Sequence, residues 1–380
     1  MASSRKTMKR FLIIAFTLLF AFSAAGHAEG TLDNENRDAN ALTLIDQQDR
    51  LIMPVDSKEP KTKKGISQVT GLKSDEDYQP VLVEINNENG GVFATAPKGI
   101  LKASVIYEYQ TSTNGTMGLC ALFQDSLPEK AGPVGNASIG GLLIQDDWKC
   151  GYVYNDIALA PDGSETELSY SMKSWIDKYD LTKKHLIFPA NVPMTKEWKK
   201  CFKLDKELIT DESYHVNTRG IKDILTKYEV SPSPSGFTFL DDPDSFEGSV
   251  FVREIDIRSS SRTFSSGFIY NDDDHLYYRW IGENNQYGDV EANAQLGVAN
   301  LIIQRVEYNT SNKNMAPVTI GRGNADIFIR GFYIDGYWVR ESSDDHTRFY
   351  DSEGNLLCLD PGITFISMLT NSTSVVIRNY

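Results

Sequence analysis

No GxSxG elbow, HExxH motif or Walker loop occurs in the 380 residues, and no dinucleotide fingerprint sits in a strand-to-helix setting. That leaves without support acyl transfer from a strained serine, zinc hydrolysis, phosphate cradling and hydride transfer. The single glycine-rich run, GRGNAD from Gly321, reads as a turn between strands. Cysteine is sparse as well: Cys120, Cys150, Cys201 and Cys358 form no CxxC and no Cys/His cluster, which gives zinc no ligand set. Positive charge is short, with 38 Lys and Arg against 52 Asp and Glu and a net charge of −14, so nucleic acid phosphates and anionic membrane surfaces are disfavoured partners. The sequence names no cofactor and no metal site. The clusters Asp241, Asp242, Asp244 and Asp272, Asp273, Asp274, His275 lack the DxDxDG spacing of a calcium loop and read as solvated turns.

What is present begins with an export signal. Arg5, Lys6, Lys9 and Arg10 precede an apolar run from Phe11 to Phe22, followed by the small residues Ser23, Ala24, Ala25, Gly26 and Ala28. The run falls short of the roughly 20 apolar residues that a membrane helix needs. Residues 1–28 therefore read as a cleavable signal peptide, with no lipid-accepting cysteine beside the cut and no membrane span once it is removed. The expected location is secreted or extracytoplasmic, without a lipid anchor. Export also permits disulfides; four cysteines allow three pairings, and Cys120 and Cys358 equally suit the role of small buried hydrophobes.

Residues 29–66, rich in Asp, Asn, Lys and Gln, read as a flexible polar arm. The folded body, 67–230 and 236–370, is expected to be α+β in two domains. In the first, PVLVEIN, SVIYEYQ, MGLCALFQ, CGYVYND and HLIFPA are short apolar runs between Gly and Pro, which predicts buried strands. Ser164 with Glu167 suggests a capping box, followed by Leu168, Met172, Trp175, Ile176 and Tyr179 on one helical face. Ile221, Ile224, Leu225 and Tyr228 predict a second helix that ends before SPSPS at Ser231, the boundary between the domains. The first domain is thus an α/β layer. Beyond Gly236 the alternation has period two and turn signals recur, which predicts antiparallel hairpins in a sandwich or partly open barrel.

Three sets of residues are candidates for a site. His215, with Asp211 and Glu212 beside it, is the histidine for a general base, against a plain role in capping the next helix. Glu84 and Glu108, on separate strands, are candidates for a carboxylate pair of the kind that runs glycoside hydrolysis. The rings Tyr277, Tyr278, Trp280, Phe332, Tyr333, Tyr337 and Trp338 alternate along two strands, so some must leave the core; Tyr277, Trp280, Tyr333, Tyr337 and Trp338 are the candidate binding surface.

The run from Ser67 to Met368 resembles the YerB-like family of exported bacterial envelope proteins. SQVTGL leads into PVLVEINN with its pair Asn86 and Asn87, Val105–Glu108, Met117–Phe123 and Gly132-Pro133-Val134 follow, and SYHVNTRGIKDIL is similar to the family's segment before a helix. VTIGRGNADIFIRGFYIDGYWVRES and TRFYDSEGNLLCLDPGITFI keep the family's order of hairpins. The resemblance implies a two-domain envelope protein of unestablished molecular function. Gly118, Gly135 and Ser138 stand where the family tends to have arginines, which would read a carboxylate or phosphate, so this chain departs from the pattern there. The combined reading is a non-catalytic binding module for a cell-wall component or an envelope protein. A wall-processing hydrolase and a structural spacer are the alternatives.

Overall fold

The computed structural model describes residues 41–44, 63–86, 97–113, 115–159, 162–205, 213–258, 266–282, 285–311 and 314–379. The proposed signal peptide lies outside the described residues. In the first half the elements run β1 (Leu42–Leu44), β2 (Val81–Ile85), β3 (Val105–Gln110), β4 (Met117–Phe123), α1 (Ile139–Trp148), β5 (Gly151–Tyr154), α2 (Glu167–Lys178), β6 (Ile187–Pro189), α3 (Lys196–Cys201), β7 (Phe202–Asp205), β8 (Ser213–Val216) and α4 (Thr218–Lys227). After these the described chain has no α-helix, only strands and a short 3₁₀ turn.

Two large sheets organise the molecule. An eleven-stranded sheet runs through both halves: Val250–Phe251, Phe332–Arg340, Gly321–Ile329, Asn300–Arg305 and Thr364–Leu369 lead into β3, β4, β2, β5 and β6. The seam is the parallel pairing of Thr364–Leu369 with β3, Phe365 lying opposite Ile106. The apolar runs of the first half are buried on both faces, as their lack of alternation requires. A seven-stranded sheet is built on Glu254–Arg258, Ser266–Asn271, Leu276–Ile281 and Ser374–Arg378. Its inner face meets the larger sheet, with Phe268 and Phe365 edge to face at 5.1 Å. The second half therefore takes the sandwich form.

At its edge this sheet gains β1. Leu42, Thr43 and Leu44 pair with Ile377, Val376 and Val375, so part of the expected arm is a strand. Ser67, Val69 and Thr70 are buried, and the body already begins there.

The helices correct the sequence reading in detail. Thr166, not Ser164, caps α2, in a reciprocal box with Ser169; the Ser164 hydroxyl is committed to Asp162 at 2.6 Å. Helix α4 follows the expected face, with Ile221, Ile224 and Leu225 buried and Tyr228 outside at the C-cap. GRGNAD is no turn, since it forms the first part of the strand Gly321–Ile329. All four cysteines are free.

A buried ion pair fixes how the sheets face each other. Glu108 of β3 meets the guanidinium of Arg279, from Leu276–Ile281 of the other sheet, and both are all but inaccessible. Ser266 donates to both carboxylate oxygens, at 3.2 and 3.1 Å. The Arg279 guanidinium lies 4.1 Å from the ring centre of Tyr287 and 5.0 Å from that of Phe365. Removing one partner strands the other charge. Glu108→Ala or Arg279→Ala is expected to lower stability by about 3–5 kcal/mol, whereas the double change to leucine recovers most of the loss. Urea denaturation of the three variants checks this.

Candidate functional site

Six strands of the large sheet point the same way. β2, β5 and β6 are mutually parallel; β3 has the same direction through the intervening antiparallel β4; Thr364–Leu369 and Asn300–Arg305 continue it. Their carboxyl ends open on one edge, the place where open sheets with parallel strands hold ligands. Helix α1 begins at this edge. Its first turn lies close on the sheet because Gly140 and Gly141 lack side chains: a Cβ on Gly140 would stand 2.4 Å from the Tyr109 ring, and one on Gly141 2.3 Å from the Tyr152 hydroxyl.

Beneath that turn sits Glu84, fully buried on β2. Tyr109 and Tyr152 each donate to it at 2.6 Å, the Cys120 thiol donates at 3.0 Å and the Ser138 hydroxyl at 3.4 Å. Ser138 also caps α1 through the Gly141 amide at 2.8 Å. Burial raises the pKa of Glu84 and outweighs the four hydrogen bonds, which favour the ionised form. Burial likewise pushes the Cys120 thiol well up, so it stays protonated and unreactive.

The positions where the resemblance implies arginines converge here. Ser138 touches the Tyr109 hydroxyl at 2.8 Å. A Cβ on Gly118 would stand 2.6 Å from the Tyr109 ring, and one on Gly135 3.1 Å from the Asn86 amide. Glu84 thus has tyrosine, serine and cysteine donors where a guanidinium would be its natural counter-ion.

Around this floor runs a rim of amides. Asn155 donates to Asn136 at 3.2 Å, and Asn191 to Asp156 at 2.9 Å. Backbone bonds hold the rim together: Asn155 to Gly135 at 2.7 Å, Asn191 to Asn155 at 3.0 Å and Ala137 to Asp156 at 2.8 Å. Leu159, Val192 and Met194, which follow β5 and β6, are exposed. Towards the second half the edge continues as a groove of about 160 Å³ between Ile139, Leu168 and Met315.

The structure separates the sequence candidates. Glu84 lies opposite Cys120, and Cys120 opposite Tyr107. Glu108 is one residue further along β3, so it points to the other face of the sheet. The two carboxylates form no pair. His215 is 4% exposed on β8, whose backbone pairs with Ala131 and Val134. Asn217, not His215, caps α4, at 3.1 Å from the Gly220 amide; Asp211 and Glu212 lie outside the described residues.

Of the aromatic candidates, Tyr277, Tyr337 and Trp338 are buried. The later part of Phe332–Arg340 is buried on both faces, while Phe332 to Asp335 are partly exposed: Tyr337 stacks on Tyr350 at 5.2 Å, and Trp338 donates to the Arg305 carbonyl at 2.7 Å. The Tyr277 hydroxyl accepts from Gly331 at 2.8 Å. Tyr333 and Trp280 are half-buried, and Tyr333 donates to Asp326 at 3.2 Å. The acidic clusters disperse into local contacts: Asp241 with Lys63, Asp244 with Arg330 at 2.7 Å, Asp272 with Arg253 and Asp274 with Tyr278 at 2.5 Å.

An α+β protein with two β-rich halves joined in one sheet is the class that this architecture defines. Its first half matches the N-terminal domain of the protein of unknown function DUF3048 over residues 69–154, and its second half the C-terminal domain of the same family over 255–366, together more than half of the chain. The chain belongs to this family. The crystal structure of the YerB protein from Bacillus subtilis is similar, with a TM-score of 0.62, 15% identity, and coverage of 82% of this chain and 99% of that one; at such identity the likeness concerns the fold. No curated protein matches the sequence.

Because burial raises the pKa of Glu84, the fold binds its proton more tightly than the unfolded chain, where a glutamate titrates near about 4.3. Its contribution is full below that pH and is lost as pH rises through the raised folded value. Glu84→Gln is expected to flatten the fall in unfolding free energy between mildly acidic and neutral pH. Urea titrations of the two proteins at several pH values measure the difference.

Proposed function

We propose that this protein is an exported, non-lipidated component of the bacterial cell envelope that acts by binding a cell-wall component, without catalysis of its own. The observation that carries the reading is the state of its acid–base groups. Glu84 is closed in by four donors, and Glu108 is neutralised by Arg279. Glu84 is closed off, and Glu108, although it borders a cavity between the sheets, is held as an ion by Arg279, so neither supplies the free acid or base that hydrolysis needs within reach of the bond it cleaves. The amide rim and the exposed Val192 and Met194 offer instead hydrogen-bond donors, acceptors and apolar contact at one sheet edge. Export rests on the basic, apolar and small-residue order of residues 1–28, and the missing anchor on the lack of cysteine near the cut.

A wall component suits the charge balance when its binding portion is uncharged, because a net charge of −14 repels anionic polymers. The test is co-sedimentation of the purified chain with bacterial cell walls, with the supernatant assayed for released fragments. The protein is expected in the pellet with no fragments in solution, and Val192→Asp with Met194→Asp should leave more of it unbound. Fragments that appear with the wild type and vanish with His215→Ala would make the protein a hydrolase and overturn the reading. Failure to pellet would leave an envelope protein as the ligand.

A further inference from the structure

At the same carboxyl edge, between the two sheets, a cavity of about 530 Å³ opens beside the ends of β3 and Thr364–Leu369. Its size falls among pockets that hold small organic ligands, about 300–1,000 Å³. Its walls are of two kinds. Met117, Ile257, Met315 and Leu369 form an apolar side, and methionine adapts its shape to what it contacts. Hydroxyls of Thr113, Thr370, Ser372 and Thr373 form the other; Thr370 bonds Thr373 at 2.8 Å and Ser372 at 3.2 Å, and the group keeps donor protons and acceptor lone pairs for a ligand. Two ions also line it, and both have counter-ions: Glu108 is held by Arg279, and Arg258 lies 3.3 Å from Asp256. Among the described residues no aromatic ring lines it, so these walls give a bare pyranose no face to stack on.

A ligand without net charge leaves both ion pairs intact, and the hydroxyls match a partner that both donates and accepts next to a small apolar group. We infer that the cavity holds an N-acyl amide, whose methyl or side chain lies against the methionines while its N–H and C=O meet the threonine hydroxyls. N-acetylated amino sugars and acylated peptides share this chemistry. The inference rests on the binding reading for its choice of ligand, and Met315 joins the cavity to the groove beside α1.

The test follows methionine methyl resonances of the purified ¹³C-methyl-labelled chain, with Met315→Leu and Met117→Leu used to assign the two signals. An N-acetylglucosamine trimer and an N-acetyl-alanyl-alanine amide are titrated separately, beside glycerol and the deacetylated sugar trimer. Saturable shifts of Met117 and Met315 with the sugar alone identify the glycan source, and shifts with the peptide alone identify the peptide source; either supports the site. Thr370→Val should then weaken binding about fivefold, the loss of one hydrogen bond, and Met315→Trp should abolish the Met117 shift. Absence of shifts with both acyl probes, or equal shifts with glycerol or the deacetylated sugar, overturns the inference. Wall co-sedimentation run on the same samples separates the two readings: pelleting without shifts removes only the cavity ligand, and absence of both removes wall binding too.

Discussion

The charge pair of Glu108 and Arg279 ties together the facing sides of the two sheets, and the arrangement of the halves turns on it. Each half brings one charge that it cannot bury alone, because an isolated ion in so dry a place would cost several kcal/mol. Docking the seven-stranded sheet on β3 neutralises both, with Ser266 and the rings of Tyr287 and Phe365 completing the shell. Three further buried arginines repeat the device: Arg305 with Asp326, Arg340 with Asp146 and Arg378 with Glu254. A buried pair of this kind adds little net stability over apolar packing, but it penalises every register in which the partners miss. In a chain so rich in carboxylates, arginines placed inside select the few that belong there.

Helix α1 transmits this frame to the edge where ligands are expected. At its C-terminal end Asp146 accepts from Arg340 at 2.8 Å, and Asp147 accepts from the Thr347 hydroxyl at 2.6 Å, both donors coming from the second half. The Trp148 indole donates to Tyr107 at 2.7 Å and pins the same end to the sheet. Its N-terminal end rests on Tyr109 and Tyr152 and covers Glu84. The shape of the amide rim therefore depends on contacts made one helix length away, through a helix held at both ends.

What could be read from the sequence follows the rules of local periodicity. Strands buried on both faces announce themselves as unbroken apolar runs, and α4 shows a clear stripe. Helix α1 gave no such signal because eight of its ten residues are buried, so its apolar residues mark no single face. Glu84 was visible as a glutamate in an apolar strand, an anomaly that points to a site; its partners Tyr109, Cys120, Ser138 and Tyr152 lie 25, 36, 54 and 68 residues away in the chain and share no spacing rule. The pairing of Glu84 with Glu108 failed on register, since a shift of one residue along a strand reverses the face. Three of the five candidate surface rings, Tyr277, Tyr337 and Trp338, are buried, because alternation divides a strand into two faces without saying whether either is wet.

By itself the sequence determined most of the strands, two helical faces, the change of pattern near Ser231 and membership in a two-part family, since all of these are local patterns or their order along the chain. Only the tertiary structure decided that both halves share one sheet, that the carboxylates point apart, that Tyr277, Tyr337 and Trp338 are core, and that an edge lined by asparagines and a hydroxyl-lined cavity lie side by side. Those outcomes depend on which strands pair and which faces become covered, and such contacts bring together residues whose separation in the chain carries no information about their distance in space.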